Sequence, residues 1–155
     1  LKFERQDADK IKDFFIFYYP NDPYLCGMDI SSIEDIRLLV DTFYGRVRKD
    51  KFIGPIFIGA IGGRWPEHLD KMYRFWQTVL MEEHTYFGSP FPPHARMPLE
   101  KMHFDTWLML WHGTVDELFE GAKASEAKWR ASRMAEMFLA KLQYYRENPL
   151  AGPIP

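Results

Sequence analysis

The chain has 155 residues, 27% of them charged and 46% apolar, with 20 Lys and Arg against 22 Asp and Glu and a formal net charge of −2. That composition suits one domain with a core of its own, and it excludes a chain-wide positive field for nucleic acid or anionic lipid. No run of about 18 apolar residues offers a membrane span, and a single cysteine, Cys26, excludes an internal disulfide and makes a reducing, cytoplasmic compartment the expectation.

Residues 1–28 stand apart from the rest. The run FFIFYYPNDPY (14–24) is aromatic and aliphatic and then breaks at proline; it is too short to cross a membrane, and no small-residue cleavage motif comes after it. It reads as an irregular N-terminal extension, a strand-like arm outside the functional domain, with Met28 a natural start for the domain itself. Ser32 with Asp35 three residues on is a capping box. Ile33, Ile36, Val40, Phe43, Tyr44 and Val47 then mark one helical face to residue 50. IGPIFIGAIGG (53–63) reads as a connector punctuated by Gly and Pro. A second helix is predicted over 66–81, with Pro66 in its first turn and a stripe of Leu69, Met72, Trp76, Val79 and Leu80. The stretch 82–97 is loop, with room for one short helical turn. Pro98 opens a third predicted helix to 119, carrying Phe104, Trp107, Leu108, Trp111, Val115 and Leu118. Gly121 separates it from a fourth over 122–146, with Ala127, Ala131, Met134, Phe138, Leu142 and Tyr145 on one face. No internal repeat and no period-two alternation appears, so the fold class is all-α, with the domain at 29–147 and a tail at 148–155.

Aromatic residues make up 17% of the chain, as 13 Phe, 8 Tyr and 5 Trp. Such a set fills a core or lines a pocket for a flat ligand, and composition does not choose between these. The histidines are His68, His84, His94, His103 and His112. Zinc needs three or four converging ligands. His103 and His112 lie on one predicted helix but half a turn out of phase, and there is no HExxH. There is no GxSxG for a serine hydrolase either. His94 differs because the prolines of FPPHARMP (91–98) pin its backbone; a fixed loop histidine can ligate a metal through one ring nitrogen while the other hydrogen-bonds to a carbonyl or water. A surface histidine is the alternative. His68 sits at the edge of the second helix's stripe, and Tyr44 and Trp107 lie on the apolar faces of the first and third helices, where core packing is their ordinary role. The basic run RVRKDK (46–51) reads as a solvated helix end, so no nucleic-acid partner and no membrane partner is expected.

Taken together, DIRLLVDTFYGRVRKDKFIGPIF (35–57), WPEHLDKMYRFWQTVL (65–80), YFGSPFPPH (86–94), HFDTWLMLWHGTVDELFEG (103–121) and AKWRASRMAEMF (127–138) resemble the group III truncated haemoglobins. The resemblance implies a truncated globin fold, a two-over-two helical sandwich around haem b. It implies His94 as the iron ligand and Tyr44, His68 and Trp107 as the distal residues that meet the bound gas. Phe43, Phe57, Met72, Phe75, Phe91 and Trp111 are expected to pack on the porphyrin; Arg96, where the family often has a plainer residue, either pairs with a haem propionate or stays exposed to solvent. The implied ligands are oxygen, nitric oxide and carbon monoxide. Nitric oxide dioxygenase or peroxidase-like activity, an unidentified electron donor or reductase, and a monomer or weak oligomer complete the expectation. Two readings remain as alternatives: a cofactor-free helical interaction domain with an aromatic core, and a non-haem metal enzyme using the histidines.

Overall fold

The computed structural model describes residues 28–148, and the N-terminal extension lies outside the described residues apart from Met28. Among them the elements are α1 (Ile33–Lys49), α2 (Gly54–Ile61), α3 (Trp65–Met81), a 3-10 turn (Pro92–His94), α4 (Lys101–Leu118) and α5 (Ala122–Glu147). No described helix is long and apolar enough to cross a membrane.

The capping box forms as the sequence predicts. The Ser32 hydroxyl accepts from the Asp35 N–H at 3.1 Å, and the Asp35 carboxylate accepts from the Ser32 N–H at 2.9 Å. This satisfies donors that a helix start otherwise leaves orphaned. Arg46, Arg48 and Lys49 close α1, where cations favour the C-terminal end of the dipole. Asp50 ends the helix in extended backbone and turns the chain at once, its Oδ1 accepting from Phe52 and Ile53 N–H at 2.8 and 2.9 Å.

The next segment corrects the sequence reading: 53–63 holds a short helix, Gly54–Ile61, rather than a connector. Pro55 pre-sets its first turn, and Gly62, at φ 60°, ends it in a conformation that favours glycine. Gly54 lets it follow α1 closely, since a Cβ there would stand 2.9 Å from the Val47 carbonyl oxygen.

A second correction concerns the third predicted helix. It starts at Lys101, and Pro98 stays outside it. The reason is tertiary. Leu99 is buried with Phe91, Phe138 and Leu142, and Arg146 of α5 donates to the Leu99 carbonyl at 2.6 Å. The segment is thus laid against α5 before the helix begins. The Glu100 N–H is then taken up by Nδ1 of His103 at 2.9 Å.

The four long helices form two packed pairs, α1 with α3 and α4 with α5, joined by α1–α4 and α3–α5 contacts. The core between them holds Ile36, Leu39, Val40, Phe43, Val47, Leu80, Trp111 and Val115, each essentially without exposure. Burying such side chains contributes about 1.5–3 kcal/mol each. Asp29 fastens the start of the described chain to the start of α5, its carboxylate accepting from Lys123 and Ala124 N–H at 2.8 Å each.

Candidate functional site

The two helix pairs leave between them a cavity of about 410 Å³, walled by α1, α2, α3, the 82–100 segment, α4 and α5. That is the size of a small-molecule site. Its walls are mostly aliphatic, aromatic and thioether, with few polar groups among them.

His94 lines this cavity. Its position comes from local chemistry. Pro92 and Pro93 hold φ near the helical value, and the His94 N–H closes the turn on the Phe91 carbonyl at 2.8 Å. Nδ1 lies 2.8 Å from the Pro90 carbonyl oxygen. A carbonyl can only accept, so Nδ1 carries the proton and Nε2 keeps its lone pair. The ring leans on Phe138 at 5.0 Å. Burial lowers the His94 pKa and outweighs the Pro90 hydrogen bond, which raises it. The imidazole is therefore neutral at neutral pH, the form that binds metals.

Tyr44, His68 and Trp107 line the same cavity, from α1, α3 and α4. The Tyr44 and His68 rings stand edge-on with centroids 5.0 Å apart. Tyr44 is only 6% exposed. Burial pushes its phenol pKa up, so it stays a protonated donor. Nε2 of His68 is buried with no hydrogen-bond partner among the described residues. Burial, then the Lys71 charge, then the His94 charge lower the His68 pKa to about 4. An unpartnered polar atom in such a place costs free energy unless a ligand uses it.

Phe57, Met72 and Phe75 also line the cavity. Four residues expected at the porphyrin do not. Phe43 is turned into the core, edge-on to Tyr44, Trp107 and Trp111. Trp111 is fully buried, its indole N–H donating to the Ala127 carbonyl at 3.2 Å. Phe91 packs on Phe138 and Tyr145. Arg96 is exposed and outside the lining. Phe43 and Trp111 thus support the wall from behind.

Other lining residues escaped the sequence reading. Arg64 and Lys71 bring cations, with Glu67 between them on the chain. Met97, Phe104, Met134 and Phe138 extend the apolar wall. Lys71 lies three residues after His68 and so shares its helical face, which was the available signal. His103 reaches the cavity too, stacked on Phe52 with centroids 4.7 Å apart. His112 points elsewhere, with Nε2 3.3 Å from the Ser132 hydroxyl. Among the described residues no three His, Cys, Asp or Glu side chains converge to hold a metal ion.

The chain is similar to the group 3 truncated hemoglobin ctb of Campylobacter jejuni, 34% identical over 116 residues, with 72% of this chain and 91% of that protein covered. The chain belongs to the group III truncated haemoglobins. The crystal structure of a group III truncated hemoglobin from Campylobacter jejuni superimposes with a TM-score of 0.71 at 32% identity, covering 77% of this chain and 97% of the other. The fold is thus the truncated globin fold that the sequence predicts. No family model matches the chain. Membership in the globin family implies haem binding, and with it the binding of diatomic gases. The residues present in this truncated haemoglobin fit that group. They provide an apolar cavity, a neutral imidazole whose Nε2 keeps its lone pair, and a second buried imidazole nitrogen that no group among the described residues satisfies.

Proposed function

We propose that the chain binds haem b in this cavity, with His94 as the iron ligand, and takes up oxygen, nitric oxide and carbon monoxide there. The observation that carries the reading is the Nδ1–Pro90 hydrogen bond, which orients the His94 ring and leaves its Nε2 lone pair available for ligation. Bound there, haem supplies an iron with one face open to a diatomic ligand.

The chain's own residues do the rest. Tyr44 and Trp107 are donors, and neither is charged at neutral pH. Each would hydrogen-bond a ligand that draws negative charge from the iron, and such charge-assisted bonds contribute about 1.5–3 kcal/mol. His68 is neutral, half-buried and without a hydrogen-bond partner among the described residues, and it completes the distal set. Phe57, Met72 and Phe75 pack against the macrocycle and keep water from it, while Phe43, Phe91 and Trp111 support that packing. We assign the haem carboxylates to Arg64 and Lys71 in place of Arg96. The functional unit is taken as 29–147.

Donors of this strength favour retention of the ligand and chemistry on it over delivery. We therefore propose nitric oxide dioxygenase or peroxidase-like turnover, with a separate electron donor or reductase. Reduced and oxidised absorption spectra of the purified protein, with and without carbon monoxide, test the haem reading. A Soret band that shifts on adding carbon monoxide to the reduced form supports it, and a colourless folded protein refutes it.

A further inference from the structure

Three indole rings lie in register beside the cavity. Trp76 of α3 stacks on Trp111 of α4 with centroids 4.3 Å apart and planes within 17°. Trp111 is parallel to Trp107 at 6.0 Å, with planes within 1°. Trp76 and Trp107 line the cavity, and Trp111 sits behind them, fully buried. Packing alone does not require this. Leucine or phenylalanine fills such volume without a polar atom, whereas a buried indole brings an N–H that must be satisfied. For Trp111 the Ala127 carbonyl does so.

Indole is among the side chains most easily oxidised by one electron. Two cofacial indoles share the resulting positive charge, which eases the loss further. The Trp111 N–H faces a carbonyl oxygen, which accepts a hydrogen bond but is too weak a base to take the proton. An electron can therefore leave while the proton stays, and the N–H···O=C bond steadies the positive ring.

We propose that the Trp76–Trp111 pair is a one-electron donor to peroxide chemistry in the cavity, holding the positive charge until a reductant discharges it. The inference rests on the haem reading. As a hydroperoxide is reduced, its O–O bond breaks, and it takes up two electrons and two solvent protons and leaves as an alcohol and water. With haem bound, its iron would be the source of one of the electrons. The indole pair gives the other and is left a cation radical. A small organic reductant, such as a phenol, later returns one electron to each.

The test uses the full chain loaded with ferric haem, mixed with hydrogen peroxide and frozen within seconds for electron paramagnetic resonance. The expected result is an organic radical whose hyperfine pattern changes when the protein carries ring-deuterated tryptophan and not when it carries ring-deuterated tyrosine. Trp76→Phe and Trp111→Phe should each lose that signal, and exposed Trp129→Phe should keep it. A radical that responds to deuterated tyrosine alone overturns the inference. So does no radical at all in a protein whose Soret band shows that peroxide has reacted. The labelling is done on the unaltered chain, so the outcome stands even if Trp111→Phe does not fold. A folded chain that takes up no haem sinks the haem reading and this inference with it.

Discussion

The Tyr44 and His68 rings meet edge-on, their planes at 90° and their centroids 5.0 Å apart. One is a phenol that burial keeps protonated, and the other an imidazole that burial keeps neutral. Two uncharged polar groups from different helices are thus presented to one apolar cavity. That arrangement is costly without a ligand and useful with one.

The Tyr44 hydroxyl should slow the escape of bound oxygen. Losing a donor of about 1.5–3 kcal/mol corresponds to roughly ten- to hundredfold in dissociation. Tyr44→Phe should raise the oxygen off-rate by that much while changing carbon monoxide far less, since carbon monoxide draws less charge. Trp107→Phe should act in the same direction, and stopped-flow displacement measures both. Equal off-rates for oxygen in wild type and Tyr44→Phe would remove Tyr44 from the distal set.

His68 sets a pH dependence of stability whose sign is fixed. Its folded pKa of about 4 lies below the ordinary 6.5. Between these values the unfolded chain takes up a proton that the folded ring refuses. The stability is fully present above 6.5 and declines as pH falls toward about 4. In His68→Phe that decline should be shallower, although His94, whose pKa is also lowered, keeps part of it. Urea midpoints across this window measure the slope. An unchanged slope in the variant would mean that His68 is not desolvated.

The cations at the cavity separate two assignments. Lys71→Ala and Arg64→Ala should each speed haem loss, and Arg96→Ala should leave it unchanged. An exposed ion pair contributes about 0.2–1 kcal/mol, so the change is a few-fold at most and shrinks at high salt. Transfer of haem to an acceptor apoprotein gives the rates. A larger effect from Arg96→Ala than from Lys71→Ala would restore the assignment that the sequence suggested.

Asp29 and Gly121 form a joint whose failure is predictable. Burial raises the Asp29 pKa, but backbone N–H groups of Lys123, Ala124, Ile30 and Ala122 together bring it below 3.8. Losing such a cap costs about 0.5–2 kcal/mol, so Asp29→Ala should lower the unfolding midpoint accordingly. The gap between wild type and variant should persist above pH 3.8 and close as pH falls through the lowered folded value. Gly121→Ala should also destabilise, because φ is 143° and the new Cβ would meet the Asp29 carboxyl carbon at 2.5 Å. Thermal unfolding at several pH values checks both.

Much of this architecture is legible in the residues because it is locally encoded. The Ser32–Asp35 box and the stripes of the long helices need no tertiary knowledge. The α2 helix does, since Gly54–Ile61 offers only apolar residues, Gly and Pro, and periodicity has no polar contrast to register. The start of α4 does as well, because burial of Leu99 overrides a proline that is locally a good helix opener. At the site, Phe43 and Tyr44 are neighbours on one stripe but about 100° apart around the helix. One backs the wall and the other lines it, and only the packing of α3 and α4 decides which. For Lys71 the three-residue spacing from His68 is the one signal of the cavity, and for Arg64 nothing in the spacing marks it.

The most direct measurement is the absorption spectrum of the haem-reconstituted chain beside that of His94→Ala, both shown to be folded by circular dichroism. The account predicts a Soret band in the first, and in the second its loss or collapse to that of loosely held haem, with recovery on adding free imidazole. Identical Soret bands in the two proteins would contradict it, because the ring fixed by Pro90 would then not be what binds the iron.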